Sequence, residues 1–387
     1  MSAGFVHLHV HTEYSVLDGG CRIPEMMAHC REFGMRSCAL TDHGALFGAL
    51  EFYKTARKFE VKPIIGAELY VAKGSRFDKS AKSQSASYNH LLLLCENETG
   101  YHNLCRLSSA GYLEGFHYKP RVDDELLAQY SEGLIASSAC IGGEIPQHIL
   151  NDDLDAANAA IRRYVEIFGQ DNFLIEITDH GMPEEKKVNP ILVELAQHHG
   201  LMVIATNDSH YLDKDDAEAH DALLCIQTNR MLDEENRFRF PTQEFHFRSP
   251  DEMRERFAEW PEAVANTVKV ASRCNVELPL GQHLIPKFVP PDGLTNSGYL
   301  RQLVQLGLQD RYDGHPPKRH LERVDYELGV IEQMGFVDYF LVVWDLVNFA
   351  RSKGIPVGPG RGSGASSLVA YALRITNIDP IRYPLLF

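Results

Sequence analysis

Apolar positions along the chain gather into about seven short runs, at 5–11, 37–40, 63–71, 90–95, 133–137, 173–177 and 201–206. Several of these are apolar throughout, as strands covered on both faces tend to be. Between them apolar residues recur at helical spacing, which predicts helices over 24–33, 47–59, 123–130, 152–168 and 184–199. Further helices are expected near 214–227, 250–257 and 261–274. The polar, Ser/Lys-rich stretch 73–89 reads as an excursion loop. Strand and helix in alternation predict an α/β fold on a parallel sheet, open or closed into a barrel.

The pattern changes near 278–293, where four of the 19 prolines fall: Pro279, Pro286, Pro290 and Pro291. This is linker chemistry, and it divides the chain into parts 1–283 and 284–387. Helices are expected around 297–311, 319–334 and 336–353, then a short strand, a glycine-rich turn and a helix from Ala365. No solenoid-type repeat is evident. The apolar end, Leu385-Leu386-Phe387, reads as a cut through a longer protein.

Composition narrows the class. The chain has 387 residues, 44% hydrophobic and 24% charged, an ordinary globular balance. No apolar run reaches the roughly 20 residues of a membrane helix, and the start lacks the basic-then-apolar order of a secretion signal. No membrane association is therefore expected. The eight cysteines include no CxxC pair, which argues against a zinc ribbon or a redox motif and fits reduced thiols in a cytoplasm. Net charge is −15, and the first part carries −16 of charge, since 284–387 has 11 Lys+Arg against 10 Asp+Glu, a balance of +1. An acidic domain is a poor general binder of phosphate backbones, although bound divalent ions can reverse the sign locally.

Candidate chemistry sits mostly where the predicted strands end. In HLHVHTEYSVLDGG, the side chains of His7, His9 and His11 share one face of an ideal strand, and Asp18 follows. His43 follows the second run in Thr41-Asp42-His43, Glu68 lies late in the third, Cys140 follows the fifth, and Asp208 and His210 follow the seventh. In parallel α/β folds the carboxyl ends of the strands form the active face, so these residues would converge. His90 fits this rule less well, because it begins its run. Imidazole and thiolate favour zinc or iron over magnesium, while Glu68 and Asp18 are hard oxygen donors able to bridge two ions. The set is too rich for one tetrahedral zinc and suggests a two- or three-metal centre that binds phosphate oxygens and activates water. Taken singly, each residue has an ordinary structural role open to it.

HLHVHTEYSVLDG, LTDHG, IIGAE, the His90 segment, Ser138-Ala139-Cys140 and ATNDSHY together resemble the polymerase-and-histidinol-phosphatase (PHP) domain that opens bacterial replicative DNA polymerase III alpha subunits. VGPGRGSGASSLVAYALRITNIDP resembles the start of the palm of the same C-family polymerases. The resemblance implies a distorted seven-stranded (β/α) barrel of PHP type followed by a partial α+β palm. It implies up to three divalent ions (Zn, Mn or Fe) on His9, His11, Asp18, His43, Glu68, His90, Cys140, Asp208 and His210. His7 is then read as a core or supporting histidine, and the second TDH, Thr178-Asp179-His180, as structural.

Gly358-Pro-Gly-Arg-Gly-Ser-Gly364 could cradle a phosphate at a helix N-terminus, but no Lys follows and it is not a P-loop. The resemblance assigns Arg361, Gly362 and Ser363 to an incoming deoxynucleoside triphosphate. It places the magnesium-holding carboxylates beyond this chain, so the chain itself should not polymerise. Its own expected chemistry is metal-dependent phosphoester hydrolysis, in the family a 3′–5′ proofreading exonuclease. The alternative is a structural module that docks the palm and a separate proofreading subunit. A third reading, a phosphatase for a small substrate, is disfavoured by the palm-like segment. In the full protein the partners implied are primer-template DNA, the sliding clamp and other replisome subunits.

Overall fold

The computed structural model of the chain describes residues 4–281, 284–360 and 362–387. It separates into two compact units, one ending at Leu278 and the other beginning at Pro279.

The first unit is built on a seven-stranded mixed sheet: β1 (Ser37–Leu40), β2 (Lys62–Ala72), β3 (Tyr88–Cys95), β4 (Arg121–Val122), β5 (Leu134–Ser137), β6 (Phe173–Thr178) and β7 (Val203–Thr206). The order is β1-β2-β3-β5-β6-β7, with β4 beside β2. The expected all-parallel sheet is corrected at one strand. β3 runs antiparallel to both β2 and β5, while β1, β2 and β4, and β5, β6 and β7, pair in parallel.

The run 5–11 is also corrected. It forms no regular strand: His9 lies in a bend and Val10 makes a single bridge to Ser209. Its backbone lies between the two ends of the sheet: Ala39 N donates to His7 O (2.8 Å) and Thr41 N to Val10 O (3.0 Å) on one side, and Ser209 N to His9 O (3.3 Å) on the other. The ladder breaks because the Thr41 hydroxyl takes over the amide of Val10 (2.7 Å).

Period-two alternation along the strands builds the interior in layers. Val6, Leu8, Ala39, Ile64, Leu94, Ile135, Leu174 and Ile204 form one buried apolar layer, closed by Val270, Ala271 and Cys274 of the helix Pro261–Arg273. Two residues further along the strands the interior turns polar, at Thr41, Ser137, Glu176 and Thr206, all buried. On β2 the equivalent step is Gly66, and Glu68 follows. A Cβ at residue 66 would collide with the backbone oxygen of Leu93, so glycine permits the close approach of β2 and β3 there. The apolar residues of the other face pack against the surrounding helices, including Ile23–Glu32, Ala49–Lys58, Leu154–Phe168 and Pro183–His199.

The second unit is helical. Asn296–Arg311, Lys318–Gln333, Val337–Ser352 and Leu368–Ala372 bury Leu300, Val304, Leu308, Val324, Leu328, Ile331, Leu341 and Leu368 together. Among its described residues none is in a strand, so the strand expected before the glycine turn is not formed and helices alone represent the expected α+β part. The helix expected from Ala365 begins instead at Leu368, after a 3-10 turn over Gly362–Ser366. No helix of the described residues is long and apolar enough to cross a membrane.

Candidate metal centre

The polar layer of the first unit ends in a concentration of metal-binding side chains. His9, His11 and Asp208 form one group, His11, His43 and His210 a second, and Glu68, His90 and Cys140 a third; within each the donor atoms lie within 4.8 Å of one another. Asp18 joins them through His43 Nε2, 3.0 Å away. All nine side chains named from the sequence therefore come together. The position of His90 follows from the direction of β3: running antiparallel, it places its start beside the carboxyl ends of its neighbours.

Hydrogen bonds aim three of the five imidazoles. His9 Nδ1 donates to Glu176 Oε1 (2.7 Å), which turns Nε2 toward Glu68 and Asp208, 3.4 and 3.3 Å away. His11 bonds Ser15 Oγ through Nδ1 (3.0 Å), so its Nε2 meets that of His9 at 3.2 Å. His210 Nδ1 donates to the carbonyl of Asp208 (2.8 Å). Asp42 coordinates nothing in the group but accepts from Thr12 N (2.7 Å), Thr12 Oγ1 and Ser15 Oγ, fixing the loop that carries Asp18. Leu17, Ala139 and Asp208 hold φ values of 63°, 58° and 42°, left-handed backbone at or beside three of the nine residues. Such conformations cost about 1–3 kcal/mol for non-glycine residues and persist where surroundings enforce them, as at binding sites.

Charge is concentrated and partly uncompensated. Burial pushes His9 down, but the carboxylates of Asp208, Glu176 and Glu68 outweigh it and hold the ring well above the usual histidine range. Burial likewise opposes protonation of His43, yet Asp18 and Glu68 raise it to about 10. Burial, then the neighbouring His43 and His210, push His11 down to about 3. Against the effect of burial, the surrounding imidazoles hold Asp18, Glu68 and Asp208 below the carboxylate range. Burial, with Asp208 and Glu68, raises Cys140 well above the usual thiol value. Four buried atoms, Asp18 Oδ1, His43 Nδ1, Glu68 Oε2 and Asp208 Oδ1, have no hydrogen-bond partner among the described residues. His43 Nδ1 and Glu68 Oε2 approach to 2.7 Å without the angle of a hydrogen bond. Buried polar atoms are ordinarily satisfied, so donors left bare and aimed at shared points fit divalent cations. The mixture of imidazole, carboxylate and thiol fits a zinc-, manganese- or iron-like ion.

The centre is open on one side. Asp18, His43, Glu68, His90, Cys140, Asp208 and His210 border a cavity of about 280 Å³, whereas His9 and His11 are fully buried behind them.

Two other readings are settled by position. His7 does not share the face of His9, because Val6 and Leu8 occupy the interior and the alternation breaks between Leu8 and His9. It stacks on Phe247 (4.1 Å), and its Nε2 lies 2.8 Å from the carbonyl of Arg248. His180 stands at the cavity wall with both ring nitrogens engaged, Nδ1 on Glu185 (2.6 Å) and Nε2 on the Asn207 carbonyl (2.8 Å). Glu176 was not singled out from sequence, although it is central to orienting His9; its signal is a lone acid inside the apolar run Phe173–Thr178.

Among the described residues of the second unit there is no comparable convergence. Gly362 and Ser363 are exposed, and Arg361 lies outside the described residues.

Residues 7–180 match the model of the PHP domain, and residues 298–387 that of the bacterial DNA polymerase III alpha NTPase domain. Over 99% of its length the chain is 50% identical to the DNA polymerase III subunit alpha of Treponema pallidum and 46% identical to that of Thermus aquaticus, covering 33% and 36% of those proteins. The chain belongs to the DNA polymerase III alpha family. It is also 45% identical to the Mycobacterium tuberculosis subunit, covering 34% of it. The chain thus spans about a third of the length of these curated relatives. Similarity to solved structures is distant: an amidohydrolase from Chromobacterium violaceum gives a TM-score of 0.33 at 16% identity over 53% of this chain and 87% of that one.

Proposed function

We propose that the first unit binds up to three divalent cations of zinc, manganese or iron type and hydrolyses phosphoesters, acting on DNA as a 3′–5′ exonuclease. The ligands are His9, His11, Asp18, His43, Glu68, His90, Cys140, Asp208 and His210. When bound, the cations supply charge to phosphate oxygens and acidify a water molecule. The chain's own residues do the positioning. Glu176, Ser15 and the Asp208 carbonyl fix three imidazoles, and the mouth formed by Asp18, His43, His90 and Cys140 admits the phosphate.

The observation that carries this reading is the set of unpartnered buried donor atoms facing an open cavity. A closed cluster would favour a purely stabilising role, and the buried pair His9 and His11 supports that second reading: a docking module for the palm and a separate proofreading subunit. The open cavity weighs for hydrolysis. Incubation with manganese or zinc and a 3′-labelled single strand should release nucleotides, and His43→Ala should abolish release. A metal-loaded protein that releases none, or an undiminished His43→Ala, overturns the hydrolytic reading.

In this reading the chain is the amino-terminal region of a replicative DNA polymerase, with residues 1–283 the PHP domain and 284–387 the first part of a palm. Primer-template DNA, incoming nucleotide at Arg361, Gly362 and Ser363, palm magnesium, sliding clamp and replisome subunits belong to that whole protein. A reducing cytoplasm suits its eight unpaired cysteines.

A further inference from the structure

The cavity at the metal centre has two unlike walls. One is the ligand set. The other is apolar, made by Ile141, Met182, Phe238, Phe240, Pro241 and Phe245. Metal-assisted hydrolysis needs charge and water, and it makes no use of three phenylalanines.

These rings are graded from floor to mouth. Phe245, 6% exposed, lies parallel to the His180 ring at 3.8 Å and 10°. Phe240 packs on Phe245 at 4.4 Å and meets the edge of His210 at 4.9 Å, which ties the aromatic wall to a proposed ligand. Phe238 stands near Phe240 at 6.0 Å and is 56% exposed. An aromatic ring this exposed beside a polar centre is an unused stacking face. At about 280 Å³ the space lies just below the range of ordinary ligand pockets, and its aromatic side continues outward to the exposed Phe238.

The polar groups in this wall are already committed. Thr178 Oγ1 and His180 Nδ1 both engage Glu185 Oε1, and the amide of His180 donates to Glu185 Oε2 (2.7 Å). Little remains to read the edge of a heterocycle, whereas stacking accepts any base.

We propose that Phe238 and Phe240 form a base-stacking subsite that takes the heterocycle of the 3′-terminal nucleotide while its 5′ phosphate faces the ligand set. This rests on the phosphoesterase reading and adds the substrate's recognition element: a nucleoside with no base preference of its own. Exonucleolytic cleavage leaves a nucleoside 5′-monophosphate, so that product is the probe.

Calorimetric titration of the manganese-loaded chain with deoxyadenosine 5′-monophosphate and with 2-deoxyribose 5-phosphate tests it. The nucleotide should bind about 5- to 150-fold more tightly than the sugar phosphate, the range of one base on an aromatic face. Thymidine 5′-monophosphate should show an advantage of the same order. In Phe238→Ala the ratio should fall toward one, and in Phe238→Tyr it should persist. The side chain is exposed, so neither variant threatens the fold. Equal binding of nucleotide and sugar phosphate, binding of neither, or a ratio unchanged in Phe238→Ala overturns the subsite. The two readings separate cleanly. Cleavage of an oligonucleotide without a base advantage removes the subsite and leaves the hydrolase. A base advantage lost in Phe238→Ala, without cleavage of any strand, keeps the subsite and removes the hydrolase.

Discussion

Two buried glutamates, one in each unit, are held in opposite ways. Glu327 in the second unit is fully buried and fully used: Oε1 accepts from Arg323 Nε (2.6 Å) and Leu368 N (3.0 Å), Oε2 from Ser367 Oγ (2.8 Å) and Val369 N (3.0 Å). It ties the helix Lys318–Gln333 to the start of Leu368–Ala372. Glu68 in the first unit is equally buried, but its neighbours are His9, His11, His43, His90 and Cys140, and Oε2 has no hydrogen bond. A satisfied buried carboxylate is a fastening. One surrounded by other donors and left short of partners is half of a binding site.

The largest effect that would break this contrast is expected at the fastening. Glu327→Ala leaves two amides, a hydroxyl and a guanidinium without their acceptor, which should cost about 3–5 kcal/mol. Urea unfolding followed by the fluorescence of Trp344, in a Trp260→Phe background, reads the second unit alone. An unaltered midpoint would mean that these bonds do not hold the helices.

Next comes cation removal. With cation at about 100 times its dissociation constant, chelation should lower the stability of the first unit by about 2.7 kcal/mol. The same treatment should change Glu68→Gln far less, because the response depends on the carboxylate and not on general salt. Smaller again is Glu176→Gln, which loses the charged partner that orients His9. Its cation affinity should fall about 10- to 100-fold, measured by competition with a chromophoric chelator. The smallest effect is Ser363→Ala, on an exposed turn, within about 0.5 kcal/mol in the same urea assay.

What could be read from the sequence follows from what leaves a periodic trace. The apolar runs at 37–40, 63–71, 90–95, 133–137, 173–177 and 201–206 coincide with strands, since burial on both faces writes itself as continuous apolar residues. The helix Glu98–Leu113 escaped because its buried face is Gly100, Asn103, Leu104, Leu107 and Gly111, too small and polar to form a stripe. β4, Arg121–Val122, is too short for any period. Strand direction is not written in hydropathy at all, and this is why His90 looked misplaced until β3 proved antiparallel. The break in alternation between Leu8 and His9, which separates His7 from its neighbours, depends on the hydroxyl of Thr41, thirty-one positions from Val10. The candidate ligands were legible by residue type and position; Glu176, which acts through His9, was visible only as a charge out of place.

The central claim is that the unpartnered atoms of the first unit are cation ligands. Anomalous diffraction from crystals grown with manganese, recorded near the metal's absorption edge, tests it directly. The account predicts peaks ringed by His9, His11, Asp208, His43, His210, Glu68, His90 and Cys140, with Asp18 drawn onto one of them. An undisturbed cluster with no peak, or peaks confined to surface carboxylates, would contradict it.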